Sequence, residues 1–186
     1  MSSSLQTIET AGFRTSAHQR RLLHLSQGGE AVSQLTAELD FGPDVAPDDA
    51  ARLLNTHLEA VIDHHEMLRM KVEMAGDLGL VMQIPIGPGE RGPLAARFNA
   101  LPNGRVGIDM SAPPEVLDAE SLAIILEQIL EIWAGGTLEP QDLQYVDYSE
   151  YVVDAPEDPD CKTALADLED LYAGKRRRVS LALSDG

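Results

Sequence analysis

The chain has 186 residues, of which 44% are apolar, which is enough for one domain with a packed core and excludes global disorder. Aromatic residues make up only 4%, so aliphatic side chains must fill that core. The formal net charge of −17 repels phosphate backbones and anionic lipid headgroups, which argues against nucleic acid and membranes as partners. The simplest reason for this charge is solubility. The more specific alternative is that it attracts a partner with a basic surface.

The cysteine content and the N-terminal sequence bear on the compartment. The single cysteine, Cys161, excludes an intrachain disulfide and fits a reducing compartment. The first residues lack the basic and apolar regions of a signal peptide, and no apolar run reaches the roughly 18–20 residues of a membrane helix. We therefore expect a soluble cytoplasmic protein. Cys161 follows Asp158 and Asp160, which do not provide the positive environment that activates a thiol, so it is expected to be inert.

Hydrophobic periodicity and turn residues predict a mixture of helices and strands. In chain order the first half is predicted to contain an edge strand within 1–14, a helix at 15–27, a strand at 31–41, a helix at 47–71 and two strands in 72–86. The second half is predicted to contain strands at 94–101 and 105–110, a loop at 111–119, a helix at 120–136, a short helix in 143–151, an internal loop at 154–160, a helix at 161–174 and a basic run that leads into a strand. This order is typical of an α/β (α+β) domain.

Few ionisable residues fall into catalytic patterns. Neighbouring side chains on a helix point about 100° apart, so the His64 and His65 rings are expected to have structural or surface roles; His57 and His64, seven residues apart, are weak metal-ligand candidates. Arg69 is predicted to pair with a buried or half-buried acid, with phosphate or pantetheine contact as the alternative. No nucleophile elbow, phosphate-binding glycine loop or zinc spacing is present, so neither a cofactor nor a metal is expected.

Three segments together resemble the N-terminal lobe of condensation domains from nonribosomal peptide synthetases, in the chloramphenicol-acetyltransferase-like superfamily. TSAHQRRLLHL is similar to the first family motif, a Ser-x-Ala-Gln-x-Arg-Leu helix start, through Ser16, Gln19, Arg21, Leu22 and Leu25, with the glutamine shifted by one. DHHEMLRMKV resembles the second motif, Arg-His-Glu-x-Leu-Arg-Thr-x-Phe, through His65, Glu66, Leu68 and Arg69. LQYVDYSEY resembles the Tyr-x-Asp-Tyr motif through Tyr145, Asp147 and Tyr148. The resemblance implies that residues 1–186 form a single lobe, a partial condensation domain with a mixed sheet flanked by helices.

The catalytic motif of this family, His-His-x-x-x-Asp-Gly, aligns with PPEVLDA, residues 113–119. Pro113 and Pro114 fall where the two histidines belong, Asp118 matches the aspartate, and Ala119 replaces the glycine. In the family the second histidine handles the proton of the attacking amine, and the aspartate mainly holds the loop. Proline has no titratable nitrogen, so the resemblance implies a degenerate motif and a pseudoenzyme.

The resemblance therefore implies a non-catalytic module that contacts an adenylation or carrier domain in nonribosomal peptide (antibiotic) biosynthesis. A second lobe or self-association is expected to cover the face where the missing lobe would pack. The alternative is an acyl-transfer half that forms amides only when a second lobe joins it, with Glu115, Asp118 or Ser121 doing the work. The candidate interaction residues are Trp133, Tyr145, Tyr148, Arg176, Arg177 and Arg178.

Overall fold

A computed structural model describes residues 12–26, 31–75, 79–87 and 90–173. The strands are β1 (Phe13–Arg14), β2 (Ser33–Leu39), β3 (Met70–Ala75), β4 (Leu80–Pro85), β5 (Ala95–Ala100) and β6 (Val106–Ala112). The helices are α1 (Ala17–Ser26), α2 (Pro47–His64), α3 (Ala119–Trp133), α4 (Tyr145–Asp154) and α5 (Pro159–Tyr172), with 3-10 turns at Glu66–Arg69 and Ala155–Glu157. None of the helices in these ranges is long and apolar enough to cross a bilayer.

The described strands form two antiparallel three-stranded sheets, in the orders β1-β4-β3 and β2-β6-β5. Alternation of apolar and polar residues in β2 places Leu35, Ala37 and Leu39 on one face, and Ala37 lies opposite Ile108 of β6. The α/β fold class predicted from the sequence is confirmed. The strands of the predicted lobe are divided between two sheets, both antiparallel, in which β1 pairs with β4 and β2 with β6.

The main core lies between the inner face of the β2-β6-β5 sheet and helices α2 and α3. Its fully buried members include Leu54 and Val61 of α2, Ile108 of β6, and Leu122 and Ile129 of α3. A second cluster joins β3 to α4 and the first 3-10 turn, through Met67, Met70, Val72 and Val146. Helix α3 begins directly after the loop at 111–119 and packs into the main core, so the core fixes the end of that loop.

Helix α2 ends at His64, seven residues before the predicted end at 71. The backbone leaves helical geometry at His65 (φ −106°, ψ 114°), a 3-10 turn follows, and Met70 already pairs with β4. The side chain of Arg69 folds back onto the end of α2 and donates to the carbonyl oxygen of Asp63 at 2.6 Å. The Asp63 carboxylate, 3.6 Å away, is exposed, so the predicted pairing of Arg69 with a buried or half-buried acid is wrong.

The segment 154–160, predicted as a loop, is mostly helical in the structure. It consists of the last residue of α4, the 3-10 turn Ala155–Glu157 and the start of α5 at Pro159. Asp158 caps α5 by accepting from the backbone N–H of Asp160 at 2.8 Å and of Cys161 at 3.3 Å. An aspartate cap followed by proline at the first helical position is a common helix start, which explains why α5 begins two residues before the predicted 161.

Candidate functional site

The loop that aligns with the family's catalytic motif connects β6 to α3, as predicted. Pro113 follows the strand, and Pro114 opens a turn in which the N–H groups of Val116 and Leu117 both donate to the Pro113 carbonyl at 3.0 Å. Proline suits this place, because its fixed φ favours the second position of a turn and biases the preceding residue towards extended backbone. Both rings are half-buried and present only carbon to their surroundings. The two positions therefore contribute no side-chain proton acceptor.

Asp118 acts as the N-cap of α3. Its Oδ1 atom accepts from the Ser121 backbone N–H at 2.8 Å and from the Ser121 hydroxyl at 2.7 Å. These two hydrogen bonds lower the pKa of Asp118 below its ordinary value, and the one from the backbone N–H has the larger effect. A carboxylate with a lowered pKa that is engaged in a helix cap is a poor general base, so its geometry is that of a scaffold residue.

Replacing Asp118 by alanine is expected to lower the free energy of unfolding by about 1 kcal/mol at pH 7, the usual value of a helix cap. Because the folded state lowers the pKa, this contribution is present above the ordinary pKa of about 4 and is lost as the pH falls through the lower folded value. Urea unfolding of wild type and Asp118→Ala at pH 7 and in acid measures it. A difference that does not shrink in acid would contradict the assignment.

Glu115 is the remaining acid within the turn. Its Oε2 atom is buried and has no hydrogen-bond partner among the residues that the structure describes. Buried carboxyl oxygens are normally paired, because leaving one without a donor costs free energy. Glu115 thus carries a buried carboxyl oxygen without a donor among the described residues, whereas Asp118 is engaged in the helix cap.

A groove of about 290 Å³ lies beside the loop, between α3 and the start of α4. The second motif segment, the loop at 113–119, α3, and the start of α4 with the residues before it all line this groove. The lining residues are His65, Met67, Leu68, Val116, Leu117, Ser121, Ile124, Ile125, Gln141 and Tyr145. Most of these side chains are apolar, and Leu117 and Ile125 belong to the main core. This lining suits a largely apolar group with a few polar contacts.

The imidazole of His65 reaches this groove. Its Nε2 atom is 2.7 Å from Oε1 of Gln128 on α3. The rings of His64 and His65 lie 4.8 Å apart at 87°, so the expected divergence of the two side chains is wrong. The divergence assumed that both residues were helical, whereas α2 ends at His64.

The first and third motif segments contact each other through polar side chains. Ser16 Oγ is 3.0 Å from the Tyr145 hydroxyl, and the Gln19 amide donates to Gln83 Oε1 at 3.3 Å. Gln83, which is fully buried, also donates to Ser149 Oγ at 2.7 Å. The motif residues Ser16, Gln19 and Tyr145 thus join α1, β4 and α4.

Gln144, immediately before α4, ties that helix to the second motif segment. It accepts from the backbone N–H of Glu66 at 3.1 Å and donates to the carbonyl of His64 at 3.2 Å. Its own backbone N–H donates to the Asp147 carboxylate at 3.1 Å, which completes a capping box. The roles of Gln83 and Gln144 are not recognisable from the sequence, because a glutamine in a strand or before a helix has no distinctive pattern.

The other candidate residues are spread over the surface. Tyr145 and Tyr148 are 36% and 46% exposed, with ring centroids 5.8 Å apart. Trp133 is half-buried at the far end of α3, 4.5 Å from the Phe41 ring and edge-on to His57. The basic triplet lies outside the described residues: Arg176, Arg177 and Arg178. Within the described ranges, no three His, Cys, Asp or Glu side chains come together to hold a metal ion.

No protein-family model matches the chain, and no curated protein sequence matches it. Solved structures do match its fold. The starter condensation domain of rhizomide synthetase RzmA, in a double-substitution variant, superposes with a TM-score of 0.69 at 11% identity, covering 95% of this chain and 48% of that one. The condensation domain of the enacyloxin polyketide synthase gives 0.63 at 16% identity, covering 94% and 41%.

The X-domain of teicoplanin biosynthesis, solved in complex with OxyB, matches with a TM-score of 0.62 at 16% identity, covering 94% of this chain and 46% of that one. At these identities the likeness shows the fold. The chain has the fold of one part of a condensation domain, as its motifs predicted. It spans about half the length of the structures it matches.

Proposed function

We propose that the chain is a non-catalytic condensation-like module of a nonribosomal peptide synthetase assembly line and works by contacting an adenylation or carrier domain. The observation that carries this proposal is the turn at Pro113 and Pro114, which has no ionisable side chain at the two aligned histidine positions. Amide formation from an acylated carrier needs a group that manages the proton of the attacking amine. The aligned aspartate, Asp118, is committed to the helix cap.

Two further observations support a role in protein contact. The chain spans about half of the condensation domains it matches, and an open groove of about 290 Å³ lies beside the loop. One protein of the same fold, the teicoplanin X-domain, was solved as a complex with another protein, OxyB. The strongly acidic composition supports the expectation that nucleic acid and membranes are not the partners.

Binding assays with separate synthetase domains test this proposal. Titration calorimetry of the chain against a loaded carrier domain and against an adenylation domain is expected to show saturable binding to one of them. The same mixture with an acceptor amine is expected to yield no amide above background. If the chain binds neither the adenylation domain nor the carrier domain of its own assembly line, the proposal is contradicted.

A second candidate function is an acyl-transfer half that becomes active when a second lobe joins it. The His65 imidazole in the groove and the Glu115 Oε2, which has no partner among the described residues, favour this reading, because imidazole and carboxyl groups are common general bases. Addition of the chain to a separate C-terminal condensation lobe would then produce amide, and this product would be lost in His65→Ala or Glu115→Gln. The non-catalytic proposal expects no amide in any of these mixtures.

A further inference from the structure

Helix α5 carries an exposed apolar stripe, although none of its residues is buried. Leu165, Leu168 and Leu171 are 53%, 49% and 54% exposed. Spacings of three and four residues put the apolar side chains on one side of the helix. The α5 stripe consists of Cys161, Ala164, Leu165, Leu168, Leu171 and Tyr172. Clustered leucines left half in water mark a contact surface more often than scattered ones do.

The first half of the α5 stripe also forms one wall of a groove of about 320 Å³. The opposite wall is built by Val152 of α4 and by Ala155 and Pro156 of the 3-10 turn. An apolar side chain that enters this groove would touch both helices. The stripe and groove together therefore offer a row of contacts followed by a pocket, which suits an amphipathic helix of another protein.

Acidic residues border the α5 stripe on both sides. At 100° per residue, Asp160 and Asp167 lie along one border and Glu169 along the other. The basic side chain on α5, Lys162, is paired with Glu157 at 2.8 Å. Two copies of α5 packed against each other would bring like charges together, which disfavours a second copy as the occupant. The same borders favour lysine and arginine on the occupant.

We propose that the α5 stripe is a docking surface for an amphipathic helix of a partner protein whose apolar side is bordered by lysine and arginine. This inference rests on the proposed function only in placing that partner in the synthetase assembly line. The leucines supply the contact area, and the acidic borders set the register and exclude acidic helices. Because the borders are exposed, the attraction is expected to weaken as salt is raised.

Fluorescence anisotropy with a labelled synthetic helix tests the surface. The probe is an alanine-rich peptide of about 20 residues, because shorter isolated helices are marginal in water, with leucine on one side and lysine and arginine at its borders. The full chain is expected to bind it at least about tenfold more tightly than the same peptide with glutamate borders. The double variant Leu165→Glu/Leu168→Glu is expected to lose at least about tenfold in affinity.

The matched control is Thr163→Glu/Ala166→Glu, which adds the same charge on the polar side of α5. This variant is expected to bind the basic peptide within about twofold of wild type, since it does not touch the stripe. Equal losses in the two double variants would overturn the proposal, because they would report net charge alone. A concentration-dependent dimer that Leu165→Glu/Leu168→Glu abolishes would assign the stripe to a second copy and also overturn it.

Three further outcomes separate this inference from others. Peptide binding that appears only after Arg176, Arg177 and Arg178 are changed to glutamate would assign the α5 stripe to the chain's own basic segment and overturn the inference. Adenylation- or carrier-domain binding that survives Leu165→Glu/Leu168→Glu would overturn the inference and leave the proposed function standing. Stripe-dependent peptide binding without binding to either domain would support the inference and contradict the proposed function.

Discussion

Replacing Leu122 by alanine is expected to lower the free energy of unfolding by about 3 kcal/mol. Leu122 lies near the start of α3, one turn after the capping residue Asp118, and its side chain is fully buried in the main core. Removing its methyl groups forfeits their burial and leaves a cavity that the surrounding helices and sheet fill only partly. Urea unfolding monitored by circular dichroism at pH 7 measures the loss.

The same substitution at Ile124 is the matched control. Ile124 lies two residues later on α3 and is 46% exposed, so Ile124→Ala is expected to cost no more than about 1 kcal/mol. Equal losses at the two positions would contradict the orientation of α3. That orientation matters for function, because it decides that Leu122 anchors the loop and that Ile124 faces the groove.

Replacing Gln83 by methionine is expected to cost about 2 kcal/mol. Methionine has a similar length and no hydrogen-bonding amide. The Gln83 amide donates to the Arg14 carbonyl at 2.8 Å and to Ser149 Oγ at 2.7 Å, and its oxygen accepts from Gln19. The substitution leaves the buried Gln19 amide without its acceptor, and an unsatisfied buried donor costs more than the lost bond itself.

Gln34→Met is the control for this prediction. Gln34 lies on the polar face of β2 and is exposed, so its replacement is expected to change stability by about 0.5 kcal/mol or less. A small effect at Gln83 would mean that the contacts between α1, β4 and α4 do not depend on this amide. A double-mutant cycle with Gln19→Ala is expected to show coupling between the two glutamines, because they share a hydrogen bond.

The sequence predicted the local elements well and their long-range pairing less well. Alternation in β2 and the Pro47 and Asp48 start of α2 are local signals, and both elements form where they were expected. The end of α2 was misplaced because Leu68 continues the apolar spacing of the helix, although the backbone turns away at His65. The pairing of β1 with β4 depends on contacts about 70 residues apart, which periodicity does not encode.

The candidate site was predictable where a residue type alone decides the chemistry. Pro113 and Pro114 cannot accept a proton in any conformation, so their effect could be stated from the sequence. The proximity of His65 to the groove could not, because it arises from the break after α2 and from the Gln128 contact. The exposure of Leu165 and Leu168 could not be predicted either, since an apolar stripe on a helix is usually buried.

The most direct test of the non-catalytic proposal is amide formation at single turnover with an aminoacyl-carrier and an acceptor amine, with the chain in excess. Wild type, Asp118→Asn and His65→Ala are all expected to give the rate of the uncatalysed background. Product formed above that rate by wild type, and reduced by either substitution, would show that this chain moves the amine proton itself. That result would contradict a protein that works only through its surfaces.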